Sequence, residues 1–463
     1  MSRTEHDLIG DRDVPDDAYW GVHTLRAVEN FPISGHKIGA CAELVDALAA
    51  VKEACAAANR ELGLLAPELA AAIISAAQKI RNGALHDQFV VDMIQGGAGT
   101  SSNMNANEVI ANLALETLGK AKGDYAVLHP NEHVNLGQST NDVYPSALKI
   151  ALIFMLRRLD VAIAELEQSF AGRAEAFAGI IKMGRTQLQD AVPMTLGQEF
   201  ATYAAMMAAE RRALKALEEE LTVLNLGGTA IGTGITAHPR LGDLTTTHLA
   251  AITSLPLTLA ADRIAATQDT GVFVSVSGAL KRLAVKLSKI SNDLRLLSSG
   301  PRAGLGDFDL PARQAGSSIM PGKVNPVIPE VVNQVCFEVI GADMAITMAS
   351  EAGQLQLNAF EPVMFASIER SIRHLEGAMQ TLARNCVNGI TADASALKAT
   401  VEHSIGIVTA LTPYIGYVRA TEVALKAHQS GLGVVEIVLD EKLMDKETLE
   451  AALASSLVLG KAA

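Results

Sequence analysis

Between residues 280 and 297 the chain sets Leu280, Leu283, Leu287, Ile290, Leu294 and Leu297 at alternating steps of three and four, with Lys and Arg on the other faces. Such a seam returns to one side of an α-helix every two turns, so this segment must be a long amphipathic helix with a partner along its length. Segments 142–168, 196–225 and 327–350 contain few breakers and predict further long helices. Helices of about 25–30 residues are about 40 Å long. Several of them indicate an all-α, elongated bundle and not a doubly wound sheet. Composition agrees: of 463 residues 49% are hydrophobic but only 4% aromatic, and an Ala- and Leu-rich interior suits packed helices better than sheets. Strand signals reduce to FVVDMI and GVVEIVL, short and isolated.

Within 196–225, the stretch ATYAAMMAAE is small and apolar on nearly all sides, as in a helix buried centrally or against another subunit. Thr195 is placed to N-cap that helix, with Gln198 at the N3 position of a capping box. The texture divides the chain into a mixed, mostly helical N-terminal domain (1–141), a central long-helix bundle (142–396) and a small helical C-terminal domain (397–463).

The net charge of −13 opposes binding to nucleic acid. Cys41, Cys55, Cys336 and Cys386 show no CxxC spacing and read as free thiols of a cytoplasmic protein. The charged start, MSRTEHDLIGDRD, lacks the apolar core of a secretory signal, and no charge-free apolar run is long enough for a membrane span.

Four polar loops interrupt the apolar segments: 95–108 (QGGAGTSSNMNANE), 133–145 (HVNLGQSTNDVYP), 184–198 (GRTQLQDAVPMTLGQ) and 316–326 (GSSIMPGKVNP). The first has neither the Lys of a P-loop nor GxGxxG spacing, so its glycines read first as caps and turns. Thr100, Ser101, Ser102, Asn103 and Asn105 nevertheless make a dense set of neutral donors there. In the second, Ser139, Thr140 and Asn141 can cap a helix, and the same N-terminus can hold a carboxylate. His129 and His133 lie four apart around Pro130, a spacing that does not favour zinc ligation. In the fourth loop, Lys323 and Asn325 could bind a carboxylate, while Ser317 or Ser318 could act as base or nucleophile. A serine base needs N–H donors and positive charge to lower its pKa. Without a GxSxG elbow a hydrolase triad is disfavoured.

GSSIMPGKVNP resembles the signature of the aspartase/fumarase superfamily. The likeness continues through DLIGDRDVPDDAYWGVHTLRAVENF, QGGAGTSSNMNANEV, GQSTNDVYP, KMGRTQLQDAVPMTLGQEF, NLGGTAIGTG, LKRLAVKLSKISNDLRLLSSGPRAGL, NPVIPEVVNQVCFEVIGAD and SIGIVTALTPYIGY, in order, over roughly residues 7–450. The tail ASSLVLGKAA departs from the family's tails. The resemblance, strongest to the aspartases, implies a three-domain, all-α superhelical homotetramer in which three subunits build each active site. It implies reversible elimination of ammonia from L-aspartate to give fumarate, through an enediolate and without a cofactor or metal. Residue by residue, it makes Ser317 the base that removes the Cβ proton. Thr100, Ser139 and Thr140, with backbone near Ser318, match the β-carboxylate site. Lys323, Asn325, Thr186 and Met320 match the α-carboxylate pocket, and Asn141 the amino-group contact. Gln187 stands where many members carry His; an amide does not titrate, which suits a substrate ammonium that already carries its proton. The alternatives are a fumarate hydratase, for which VIPEVVNQV and GVHTLRA are unexpected, and a catalytically silent helical oligomer, against which the intact Ser317, Lys323 and Asn325 argue.

Overall fold

A computed structural model describes residues 1–458, so the last five residues of the ASSLVLGKAA tail lie outside the described residues. Among the described residues, sixteen α-helices carry the fold: α1 (Val22–Asn30), α2 (Ala42–Glu61), α3 (Pro67–Arg81), α4 (Thr100–Thr117), α5 (Thr140–Ala176), α6 (Leu196–Leu221), α7 (Leu241–Thr253), α8 (Arg263–Gln268), α9 (Gly271–Leu297), α10 (Val327–Glu351), α11 (Glu361–Asn385), α12 (Ala394–His403), α13 (Thr412–Ile415), α14 (Tyr417–Ser430), α15 (Val434–Asp440) and α16 (Lys446–Val458). Three two-stranded ribbons accompany them: antiparallel β1 (Ser2–Asp7) with β2 (Gly10–Pro15), antiparallel β3 (Ile181–Thr186) with β4 (Gln189–Thr195), and parallel β5 (Val223–Leu224) with β6 (Thr258–Leu259).

The leucine seam is buried at every position. Around it α9 starts nine residues earlier than the seam itself, at Gly271. The 142–168 segment lengthens to α5, 37 residues or about 55 Å. Pro145 is tolerated inside it because the carbonyl it deprives of a partner, that of Asn141, accepts Asn225 Nδ2 at 3.0 Å instead. The capping box forms as expected: Gln198 N donates to Thr195 Oγ1 at 3.0 Å, and Thr195 N to Gln198 Oε1 at 2.9 Å.

Four expectations need correction. GVVEIVL lies mainly in helix α15, whose Val434, Ile437 and Val438 are buried at helical spacing. FVVDMI makes only an isolated bridge, Lys37 to Asp92. The helix expected to reach 225 stops at Leu221 and gives way to β5. Loop 184–198 is mostly the β3–β4 hairpin, with Pro193 on a two-stranded ribbon in which each strand has one edge without a ladder partner.

The chain divides into two compact units. The first comprises Met1–Val161, Arg212–Ala284 and Phe337–Leu375. There α2 packs on α3 and α7, burying Leu44, Leu48, Val51, Ile73 and Ile80. The second comprises Ala162–Arg211, Val285–Cys336 and Glu376–Ala463. It stacks Phe170, Phe177, Phe200, Tyr203 and Phe308 edge-on or tilted, with centroids 5.5–6.4 Å apart. Its C-terminal part has a core of its own, including Leu411, Val423, Ile437 and Leu449.

One helix among the described residues, α10, is long and apolar enough to cross a membrane, and a third of that stretch is buried within the chain. Its Phe337, Ile340, Met344 and Met348 stand exposed on one side. Likewise Ala201, Thr202 and Ala205 of α6 are exposed, so within the chain the apolar surface of that helix is only partly covered.

Burial dominates Glu361, at the start of α11, whose carboxyl is pushed up to about 8 while Lys149 draws it partly back. The folded chain keeps this proton in the window between the ordinary carboxylate value and 8, where the unfolded chain has lost it. Stability from the neutral form is therefore full below that window and declines as pH rises through it. Glu361→Gln mimics the neutral form. Its thermal midpoint should exceed that of the unsubstituted protein by a margin that widens from about pH 5 to about pH 9. A margin independent of pH would show that burial does not hold the proton.

Candidate active site

Segments 95–108 and 133–145, expected as loops, run into helix from Thr100 and from Thr140, and in the first unit they are joined through the first turns of α4 and α5. Gly99 caps α4 with φ +86°, and a Cβ there would lie 2.2 Å from the Tyr144 ring, so both conformation and space require glycine. From the first turn of α4, Asn103 Nδ2 donates to Thr140 Oγ1 at 3.0 Å. With one lone pair of that oxygen occupied, the hydroxyl proton is left to donate outward, as a bound carboxylate requires. Asn141 is set in the opposite sense. Its Nδ2 donates to Ala230 O at 2.8 Å, which leaves Oδ1 as an acceptor, the group an ammonium needs. Ser139 Oγ accepts Asn141 N at 3.2 Å. Thr100 departs from this pattern: its hydroxyl donates to Gly97 O at 2.7 Å and must rotate to meet an anion.

Beneath these groups lie buried ionisable residues that the motif reading passed over. Asp142, nearly solvent-free, accepts Ser139 N at 3.1 Å and Thr229 N at 2.8 Å, tying the α5 start to the 229 turn. Burial pushes its carboxyl up to about 6 against those N–H bonds. Lys52 of α2 is wholly buried and donates to Asn135 Oδ1 at 2.8 Å and Gln138 Oε1 at 2.9 Å, and burial lowers it to about 7. The signal that could have found it is the Lys52–Glu53 pair, the only charged residues inside the otherwise apolar AAVKEACAAA. His129 and His133 act as local caps: His129 Nδ1 accepts Asn131 N and Glu132 N, and His133 Nδ1 accepts His129 N.

The remaining candidates belong to the second unit. Thr186 ends β3 and pairs with Gln189 of β4, while Gln187 and Leu188 make the turn between them with φ +52° and +64°. Positive φ at both positions matches the twist of a two-residue hairpin, although neither residue is glycine. Gln187 lines a cavity with Arg185, Glu199 and Asp293. Near it, buried Lys182 is ion-paired with Glu199 and, at 2.8 Å, with Asp307.

Loop 316–326 closes on itself. Gly316 N donates to Lys323 O at 2.8 Å and Asn325 Nδ2 to Gly316 O at 2.8 Å. A Cβ on Gly316 would lie 2.7 Å from Lys323 O, so the two ends meet only because residue 316 is glycine. Inside the closure Ser317 Oγ accepts the N–H groups of Ile319 at 3.2 Å and Met320 at 2.9 Å. Ser318, Met320 and Lys323 are exposed, and among the described residues the Lys323 ammonium has no ion-pair partner. No hydrogen bond among the described residues joins the hairpin turn to this loop.

A profile for lyases matches residues 10–341, and one for the fumarase C C-terminus matches 407–457. An aspartate ammonia-lyase of Pseudomonas aeruginosa is 58% identical over 97% of this chain and 95% of its own. One from Escherichia coli is 52% identical over 97% and 94%. In structure, the fumarate lyase:delta crystallin of Brucella melitensis bound to cobalt superposes with a TM-score of 0.95 at 52% identity, over 98% of each chain. A class II fumarase from Schistosoma mansoni gives 0.91 at 31%, again over 98% of each. The chain belongs to the aspartase/fumarase superfamily of lyases, enzymes of small-molecule substrates. Within that superfamily it falls among the aspartases.

Asn225 supports this site by satisfying the carbonyl that Pro145 leaves open. Asn225→Ala should leave it unpaired at a cost of about 1–3 kcal/mol, read as a lowered thermal midpoint. An unchanged midpoint would show that the carbonyl finds another partner.

Proposed function

We propose that this chain catalyses the reversible elimination of ammonia from L-aspartate to give fumarate, with Ser317 as the base. The observation that carries the assignment is the pair of N–H groups, from Ile319 and Met320, directed at Ser317 Oγ. Hydrogen bonds to an oxyanion favour its charged form, so two N–H groups on Ser317 Oγ favour a serine alkoxide. Curated aspartate ammonia-lyases at 52–58% identity support the substrate, against 31% for the class II fumarase.

In this scheme the Ser317 alkoxide takes the proton from Cβ, and the electron pair moves into the β-carboxylate to form a dianionic enediolate. Thr100, Ser139 and Thr140, with backbone at Ser318, donate to those oxygens. Such donors act mainly where charge develops, so they lower the barrier more than they tighten substrate binding. Collapse of the enediolate forms the C=C bond and breaks the C–N bond. Ammonia leaves neutral because the substrate ammonium carries the needed proton, and Asn141 Oδ1 accepts from that group. Gln187 orients by hydrogen bonding. Lys323 and Asn325, with Thr186 and Met320, receive the α-carboxylate, whose desolvation without a counter-charge would be costly. The scheme uses no cofactor.

The same proposal includes a homotetramer with active sites built by three subunits, in a reducing cytoplasm. The partly uncovered face of α6 and the exposed Phe337, Ile340, Met344 and Met348 of α10 support the assembly, and four free buried thiols support the compartment. The partition 1–141, 142–396 and 397–463 is retained as a functional one, supported by the start of α5 at Thr140 and the separate C-terminal core.

Ultraviolet absorbance of fumarate formed from L-aspartate, compared with L-malate, tests the reaction; activity on malate alone would replace it with hydration. Ser317→Ala should cut kcat by ~10³-fold or more while leaving fumarate inhibition near the unsubstituted value. Retention of a tenth of kcat would remove Ser317 as the base. Lys323→Met should raise KM for aspartate strongly and weaken inhibition by fumarate more than by acrylate, which lacks one carboxylate. Unchanged fumarate affinity with a collapsed kcat would instead place Lys323 beside the base.

A further inference from the structure

We propose that the buried Lys52 fixes the direction of the Thr140 hydroxyl, so that Thr140 meets the developing β-carboxylate charge as a proton donor. Lys52 is thus a positioning residue for the elimination. The inference deepens the proposed reaction and rests on it for the identity of the anion.

The argument is one of donors and acceptors. Protonated Lys52 has N–H groups and no lone pair to offer, so whatever it touches must present an acceptor. Its Nζ reaches Asn135 Oδ1 at 2.8 Å and Gln138 Oε1 at 2.9 Å, which fixes how both amides are turned. The other end of the Asn135 amide agrees, its Nδ2 donating to Gln138 O at 3.3 Å. Asn135 Oδ1, held as an acceptor, then selects the amino end of Asn103, which approaches at 3.3 Å. The second hydrogen of that amino group goes to Thr140 Oγ1 at 3.0 Å. Thr140 Oγ1, already accepting, keeps its own proton for an outside acceptor.

The cost of this order is visible at Asn103. Both its bonds run through Nδ2, while its buried Oδ1 has no partner among the described residues. A free amide would turn to relieve that carbonyl. Turned, it would face Asn135 Oδ1 with a second acceptor and take the Thr140 proton for itself. In its protonated form Lys52 is the one member of the chain Lys52–Asn135–Asn103–Thr140 that cannot reverse its role, so the sense of every bond descends from it. Its burial at 0% exposure keeps water from supplying a substitute donor.

Two near-isosteric substitutions break the chain at different links, Lys52→Met and Asn103→Leu. They are compared by fumarate formation from L-aspartate and by inhibition with two ligands. Succinate presents an ordinary carboxylate, and the nitronate of 3-nitropropanoate presents the charge of the enediolate. Each variant should lose ~10–100-fold in kcat and the same factor in nitronate inhibition, with succinate inhibition within ~3-fold of the unsubstituted protein. Because both break one relay, the double variant should lose no more than ~3-fold beyond the worse single one. Equal weakening of both inhibitors, kcat within ~3-fold of the unsubstituted protein, or losses that multiply in the double variant would each overturn the inference. Should Lys52→Met fail to fold, Asn103→Leu decides by the same ratios. If the unsubstituted protein forms no fumarate from aspartate, the proposed reaction falls. Calorimetric binding of the nitronate and succinate to Asn103→Leu then still decides the inference, a selective loss of nitronate sustaining it and an equal loss overturning it.

Discussion

Burial of the α9 seam is the interaction on which the long-helix architecture rests. Its six apolar side chains are at most 7% exposed. At about 1.5–3 kcal/mol for each buried aliphatic side chain, one stripe of one helix is comparable with the entire net stability of a folded domain. Helices with stripes of this kind hold their places by apolar area. The connecting loops are then free to carry polar groups. α6 and α10 extend the same logic outward, since each keeps apolar side chains that the chain itself does not cover.

The polar loops are ordered by a different rule, the matching of single donors to single acceptors. Asn225 replaces the hydrogen bond that Pro145 removes from α5, and in doing so holds the Asn141 carbonyl. Asn141 and Thr140 are neighbours in sequence, yet one is left an acceptor and the other a donor, because Ala230 O meets the first and Asn103 Nδ2 the second. Loop 316–326 reaches its closed shape through its own backbone, with Gly316 against Lys323 and Asn325, and leaves Ser317 Oγ under two N–H groups. Chemistry that stabilises a developing oxyanion requires this kind of fixed polarity, since a donor free to turn loses its advantage over water.

The sequence alone determined the helices, because a period of 3.6 is written in residue types. The 280–297 seam, the Thr195–Gln198 capping box and the motif around Ser317 all depend on neighbours within one or two turns. Where that local signal misled, a tertiary or hairpin context had outweighed it: GVVEIVL has the β-branched content of a strand, but its residues at helical spacing pack into the C-terminal core. The β1–β2 ribbon carries almost no apolar alternation, since its buried members include Glu5, held by Arg3 and the Val22 N–H. A scan for apolar strands passes over it.

Only the tertiary structure decided which way the polar groups point. Thr100 and Thr140 are equivalent as letters in two Ser/Thr-rich loops, yet one hydroxyl is spent on Gly97 O and the other is left to donate outward. Lys52 reads as one lysine in a helix until the fold brings Asn135 and Gln138 to it from 83 and 86 residues away. Residue type fixes how many donors and acceptors a side chain owns. Their direction depends on partners remote in sequence, and no local pattern encodes it.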